Sequence, residues 1–494
     1  MKVQQRKNTG SSNSAHLSKS DHHSQLKHLY LVAFLLFGLY MTYFRNAFFL
    51  KWAEAHSLFV SSGAFFQECM RYAGGLLNYG GAFLTQFYHF PLLGSLIFIA
   101  LLVFIKQLLV AAFEIPEKWD VLAYVPPLLL LLSVTQLGYV WFTLKSPGYL
   151  FSNSLGVLVV LLVFLGYRQL KTLGWRLFFI VLLNLVAYPL FGFYALLSVA
   201  LLVSYELRLF FGDRRYRHLF PVFSGIILAL VLPQLYYNYV YSYMQHIHVY
   251  ISVLPRFVFT WKEMVLWAPF LLLFVSLFLL AVFVGKPKHL YQANKYPKIP
   301  LFVLASSLTV VYFFSYSDTN FEAEVKMEGA MAQSKFRAVV HYAERVAGVP
   351  TRNIVLNNNF ARMALGQPES RRLTLNNIIE PRSPRSPIPI NIYMSGRSLF
   401  YFTGHINECY RWSMEYMVEY GKRVSNLKYM VKCAIVNQEY ALAQKYNSLL
   451  SQTLFHKDWA RRYQAFIDQP ELTENDNEIQ AIRRLMVQEG AKDN

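Results

Sequence analysis

The sequence predicts an all-α protein: a polytopic membrane helical bundle of about nine spans, followed by a soluble helical-repeat domain of tetratricopeptide-like type. Three observations predict it. Nine apolar segments, most of them near the length of a bilayer crossing, fill the chain up to residue 316, and none follows. Charged residues make up only 15% of the chain against 55% apolar ones, where soluble domains carry about a quarter charged. A helical pattern then recurs in the polar remainder at an offset of 34 residues.

Residues 1–27 are polar, with Ser, His and Lys, and read as a disordered cytoplasmic tail. The transmembrane domain covers 28–316. Its first span, 29–49, is too long for a signal-peptide core and lacks a small-residue cleavage site, so it stays. The other spans are expected at 91–112, 121–142, 150–167, 176–190, 192–211, 219–241, 264–285 and 299–316. The fifth and sixth form one apolar stretch, broken at Tyr188-Pro189-Leu190-Phe191-Gly192. Proline has no amide to donate and glycine accepts turn geometry, so a tight helical hairpin is expected there. One long kinked helix is the alternative, and it would invert everything downstream.

Charge decides between the two. With nine spans and the N-terminus inside, the cytoplasmic loops hold Arg168, Lys171 and Arg176, then Arg208, Arg214, Arg215 and Arg217, then Lys286, Lys288, Lys295 and Lys298. The outer loops hold only Lys51, Arg71, Lys145, Arg256 and Lys262, as the positive-inside rule expects. Residues 317–494 are thus expected outside the cytoplasm, in the periplasm if the spans sit in the inner membrane of a two-membrane bacterium. The net charge of +19 does not indicate nucleic acid, because much of it lies in these short loops, where it orients the protein and meets anionic lipid.

The first outer loop, 50–90, is long and only weakly polar. Phe59, Phe65, Phe66, Met70, Leu76 and Leu77 recur at helical spacing between Gly-Gly pairs, which suits one or two helices in the interface. The outer domain, 317–470, begins with helices expected at 333–347 and 351–366. A Pro- and Arg-rich insert, 368–389, cannot be regular helix. Two segments then overlay at the 34-residue offset, Ile406 on Tyr440 and Cys409 on Ala443. Residues 471–494 read as a polar tail. Cys69, Cys409 and Cys433 include no CxxC pair. Cys409 and Cys433 read as small core residues, with a disulfide between them as the alternative.

The run Glu54-Ala55-His56-Ser57-Leu58-Phe59, then Gly74-Gly75-Leu76, then Phe83-Leu84-Thr85-Gln86-Phe87-Tyr88, resembles a family of bacterial polytopic membrane proteins of unknown function. Ala55 and His56 depart from that family's pattern beside the glutamate. In layout the chain is also similar to the C-type membrane glycosyltransferases. That likeness implies an acidic residue after the first span, interfacial helices beside it and a lipid-linked sugar as donor.

Under this likeness Glu54 is the candidate catalytic carboxylate, as general base or as ligand of a divalent cation, with Glu68 second. An ordinary interfacial acid near Lys51 is the plainer reading of Glu54, and a solvated helix face explains Glu68. Arg256 and Lys262 are candidates for holding a lipid phosphate, or else snorkel at a span end. Tyr236, Tyr237, Tyr239, Tyr241 and Tyr243 crowd the seventh span's outer end as an aromatic belt; Tyr236 and Tyr239 would offer a sugar-stacking wall. His56, His89, His246 and His248 are expected to pack in the interface, with no metal site among them.

No span centre carries an acid or base, which argues against a proton-coupled transporter, and no nucleotide-binding motif is present. Two function classes remain. One is a glycosyltransferase using a polyprenyl-phosphate sugar. The other is a non-catalytic scaffold whose periplasmic repeats bind a protein partner.

Overall fold

The computed structural model describes residues 26–144, 146, 148–241, 245–255, 261–283, 299–381 and 391–486. The segment 1–25, Tyr243, Arg256, most of the insert beyond Pro381 and the loop lysines of 284–298 lie outside them. The described residues are helical, apart from turns and one isolated bridge between Thr351 and Ile379.

The chain enters through α1 (Leu26–Arg45). The first loop, expected on the outer side, then winds into α2 (Ala47–Ala55), α3 (Gly63–Cys69) and α4 (Gly75–Thr85). The Ser62 hydroxyl caps α3 by accepting from the Phe65 amide, a donor the helix leaves unpaired. Pro91 opens α5 (Pro91–Phe113), where its missing N–H costs nothing. Next come α6 (Trp119–Thr135), α7 (Tyr149–Arg168), α8 (Leu173–Phe191), α9 (Phe193–Asp213), α10 (Tyr216–Tyr239), α11 (Trp261–Phe283) and α12 (Ile299–Phe314). The C-terminal domain, expected on the outer side, starts with α13 (Thr319–Met331), capped by Asp318.

The expected nine spans are corrected. Among the described residues, seven helices are long and apolar enough to cross a membrane, or eight if α12 and α13, bent by 66°, count as one. The third expected span survives as the shorter helix α6. Residues Glu117–Tyr124 wind as 3₁₀ turns, Pro126 and Pro127 set the first α turn, and Gly138 at φ 50° lies beyond its end. Pro126 to Thr135 are all buried, so this stretch faces protein.

The loops sort to two ends of the bundle. At one, Arg168 pairs with Glu114 and donates to the Ala112 carbonyl, while Arg176, His218 and Tyr167 converge on Glu206. At the other, the Gly74 amide donates to Pro189 O at 2.9 Å, the Phe193 amide to Ser252 O at 3.2 Å and the Tyr316 amide to Thr135 O at 2.9 Å. The expected hairpin at Pro189 is present: Gly192, at φ 55°, separates α8 from α9. A Cβ on Gly192 would sit 2.4 Å from Ser252 Oγ, so only glycine lets the two loops meet.

The outer domain continues through α14 (Phe336–Glu344), α15 (Arg352–Ala364), α16 (Arg397–Phe402), α17 (Ile406–Tyr420), α18 (Val424–Val436), α19 (Tyr440–Ser451), α20 (Lys457–Asp468) and α21 (Asn477–Leu485). Helices α17 to α20 pack consecutively, joined by turns at Gly421 and Gln438, both with positive φ, and at 452–456. Cys409, Cys433 and Ala443 are buried in this core, and the cysteines are free thiols. Leu58 and Val60, from the first outer loop, belong to the same core. The outer domain is therefore built partly on a segment of the membrane domain.

Candidate functional site

Helix α2 organises the junction between the two layers. At about 100° per residue, positions 52 and 56 share a face and position 54 points the other way. The two faces hold two different polar clusters.

On one face lies Glu328, from α13. Its carboxylate accepts from Trp52 Nε1 at 2.5 Å, lies 3.1 Å from His56 Nε2 and 3.4 Å from Arg397 Nη2. Burial works to raise its pKa, but the charges of His56 and Arg397 and the hydrogen bonds from His56 and Trp52 more than offset that and hold it low. Arg397 is 1% exposed and lies between the Tyr416 and Tyr429 rings, 5.3 and 5.9 Å away. His56 was expected to pack in the interface; it is instead a buried link in this cluster, with Nδ1 2.9 Å from the Trp52 carbonyl.

On the other face Glu54 is 4% exposed. The expectation of an ordinary interfacial acid near Lys51 is corrected, because the turn after α19 folds over this carboxylate. His456 Nε2 lies 2.8 Å from Oε1 and His89 Nδ1 3.8 Å from Oε2. Phe455, next in that turn, stacks on the His89 ring at 5.2 Å and meets Phe87 and Phe90. Burial raises the Glu54 pKa, and the two imidazoles more than reverse this, so it stays a carboxylate. Burial lowers the pKa of His456, so its ring is neutral at pH 7. Lys428 Nζ lies 3.2 Å from His456 Nδ1, and burial brings this lysine down to about 8. A lysine ammonium donates to Nδ1, which leaves the ring proton on Nε2, where it donates to Glu54.

Glu54, His89 and His456 offer three ligand atoms within 4.8 Å of one another, the donor set and spacing of a divalent-cation site. This departs from the expectation that the histidines hold no metal. The outer shell opposes it: a metal-bound imidazole presents an N–H on its far nitrogen, and Lys428 places a second donor there. Nothing in the local sequence marks His456, which lies 402 positions from Glu54. Only the docking of the two layers reveals it.

Beside the small Glu54 pocket lies a cavity of about 320 Å³. Ser57 and Leu58 line both. The cavity is enclosed by the first outer loop, by Trp141, Leu144 and Ser146, by the segment 252–254, and by the turn 418–423. Glu68 is exposed, pairs with Lys422 at 2.8 Å and lines this cavity. Tyr236 and Tyr239 do not line it: the Tyr236 hydroxyl donates to Leu185 O at 2.6 Å, and Tyr239 is exposed. Arg256 lies outside the described residues, and Lys262 falls in the first turn of α11 with its side chain outside them.

A third buried acid, Glu324 on α13, accepts from Tyr139 and Thr351, and burial raises its pKa from 4.5 to about 7. Such an acid takes up a proton on folding. Its contribution is full below the unfolded value and is lost as pH rises through about 7. The loss is on the order of 3 kcal/mol. Glu324→Gln should flatten the dependence of the melting temperature on pH between 5 and 8, most visibly by stabilising the alkaline end; an unchanged slope would contradict this.

The fold and the junction define a multi-pass membrane protein with a helical domain docked on one end of its bundle. The chain belongs to a family of unknown function, DUF6057, whose model matches residues 22–494. No curated protein and no solved structure matches it.

Proposed function

We propose that the protein is an envelope enzyme that transfers a sugar from a polyprenyl-phosphate carrier, with its reaction centre in the layer between bundle and outer domain. One observation carries the reading: a buried carboxylate, kept ionised, stands at the outer end of the first span and shares its wall, Ser57 and Leu58, with the 320 Å³ cavity. In the transfer the C1–O bond to phosphate breaks and its electron pair leaves on the phosphate. The acceptor oxygen bonds to C1, and its proton is released to water. Positive charge builds on the sugar in between, and a desolvated carboxylate stabilises it. A low pKa suits that electrostatic role better than general-base work, which needs a pKa near the working pH. If a divalent cation binds, Glu54, His89 and His456 hold it and it supplies charge for the phosphate.

A second reading is a scaffold that presents the outer helices, as tetratricopeptide-like repeats, to a periplasmic protein. The bond from His456 to Glu54 favours it, since that bond ties the outer domain down whether or not chemistry occurs.

The enzyme reading places the reaction outside the cytoplasm. That sidedness is supported by the basic loops, which fall on one side when α6 and α12 are counted as crossings beside the seven long spans. A reporter fused after Tyr316 should be active only in its exported form; cytoplasmic activity would reverse the sidedness. A strain lacking the chain should lose an envelope glycan. Unchanged glycans, together with a protein captured by the outer domain, would favour the scaffold.

A further inference from the structure

We infer that the 320 Å³ cavity is a binding site for a phosphate group presented at the membrane surface, with Arg423 as its counter-charge. This deepens the transferase reading by locating the carrier's phosphate, yet it does not need Glu54 to be catalytic.

Arg423 lines the cavity and is 5% exposed. Its Nη2 donates to the Leu144 carbonyl at 2.9 Å, and its Nη1 has no hydrogen-bond partner. No ion pair joins it to a carboxylate among the described residues; the Tyr416 and Tyr420 rings lie 4.9 and 5.9 Å from the guanidinium. Aromatic faces compensate a buried cation only in part. A desolvated charge without a counter-ion costs several kcal/mol. An anion in the cavity supplies what is missing, and a phosphate matches the planar fork of the guanidinium.

The rest of the wall agrees. Trp141 and Ser252, on two further loops, line the cavity, and their Nε1 and Oγ are buried without hydrogen-bond partners. Both can donate to phosphate oxygens. Lys422, at the edge, adds a cation that now rests on exposed Glu68. Val253 holds φ 77°, which is costly for a β-branched residue, and it sits between two cavity-lining neighbours, Ser252 and Leu254. Phe65, Tyr72 and Val418 complete an apolar side that suits the first carbons of a lipid chain.

The test uses the full chain in detergent and three probes: polyprenyl phosphate, the matching polyprenol without phosphate, and inorganic phosphate. Binding is read by intrinsic tryptophan fluorescence and by the shift in melting temperature. Polyprenyl phosphate should bind at least about tenfold more tightly than polyprenol, since at least one charge-assisted contact is at stake. Arg423→Met should abolish that preference while leaving the melting temperature of the unliganded protein equal or higher, because it removes an uncompensated charge. Should Arg423→Met fail to fold, Lys422→Met, at an exposed position, should still weaken binding severalfold. Wild type that prefers polyprenyl phosphate yet transfers no sugar would keep this site and remove the reading of catalysis, which separates the two. Binding of inorganic phosphate as tight as that of the lipid would keep the phosphate site and assign it to a free anion. Equal binding of polyprenol and polyprenyl phosphate, or full binding by both cavity variants, would overturn it.

Discussion

Glu328→Ala is expected to be the most damaging single change at the junction, at about 3–5 kcal/mol. The carboxylate is the acceptor shared by Trp52, His56 and Arg397, which come from the membrane side and the outer domain alike. Its loss leaves Arg397 buried with no carboxylate and the Trp52 N–H with no acceptor. Nε and Nη1 of Arg397 already have no hydrogen-bond partner, so Glu328 is the main compensation for that charge. Arg397→Met should cost less, because Glu328 keeps two donors and the methionine fills much of the space. The check is limited proteolysis along a temperature ramp in detergent, which reads the release of the outer domain from the bundle. A Glu328→Ala protein that protects its outer domain as well as wild type does, or an Arg397→Met protein that is the weaker of the two, would contradict this account.

Much of the fold was legible in the sequence because its signals are local. Apolar length marks the long spans, and Pro189 with Gly192 marks the break that the structure shows as two helices. The Phe and Leu spacing of the first outer loop marks α3 and α4. The count of spans was less legible, because α6 is apolar for burial in protein and not for lipid, and hydropathy does not separate the two. Amides within the spans divide the same way. Gln136 bonds across to the Leu266 carbonyl, whereas Asn184 bonds back to Ile180 in its own helix.

The site was half legible. Glu54 stands out as an acid just after a span. Its partners do not, because His456, Lys428, Glu328 and Arg423 belong to a polar domain in which charged side chains are ordinary. What distinguishes them is burial, and burial follows from docking the turns at 421–424 and 453–456 onto the first outer loop. The Val424 amide donates to the Ser57 carbonyl at 3.1 Å, a long-range backbone contact that leaves no trace in either local sequence.

Loss of the Glu54 charge is the second large effect expected, and it bears on the central claim. Glu54→Gln keeps the shape and still accepts the His456 N–H, so the layers stay docked, though the buried position makes some loss of stability expected. His456→Gln is the matched control: it removes the imidazole from the same contact and leaves the carboxylate. A carboxylate that stabilises charge in the transition state should cost at least about a hundredfold in rate when neutralised. The decisive measurement is transfer of labelled sugar from a polyprenyl-phosphate donor by the full chain in proteoliposomes, wild type against both variants, with melting temperatures recorded alongside. The account predicts transfer by wild type, a loss of at least about a hundredfold in Glu54→Gln at a melting temperature no lower than that of His456→Gln, and a smaller loss in His456→Gln. Transfer by Glu54→Gln within a few-fold of wild type, or equal losses in the two variants that track their melting temperatures, would contradict it.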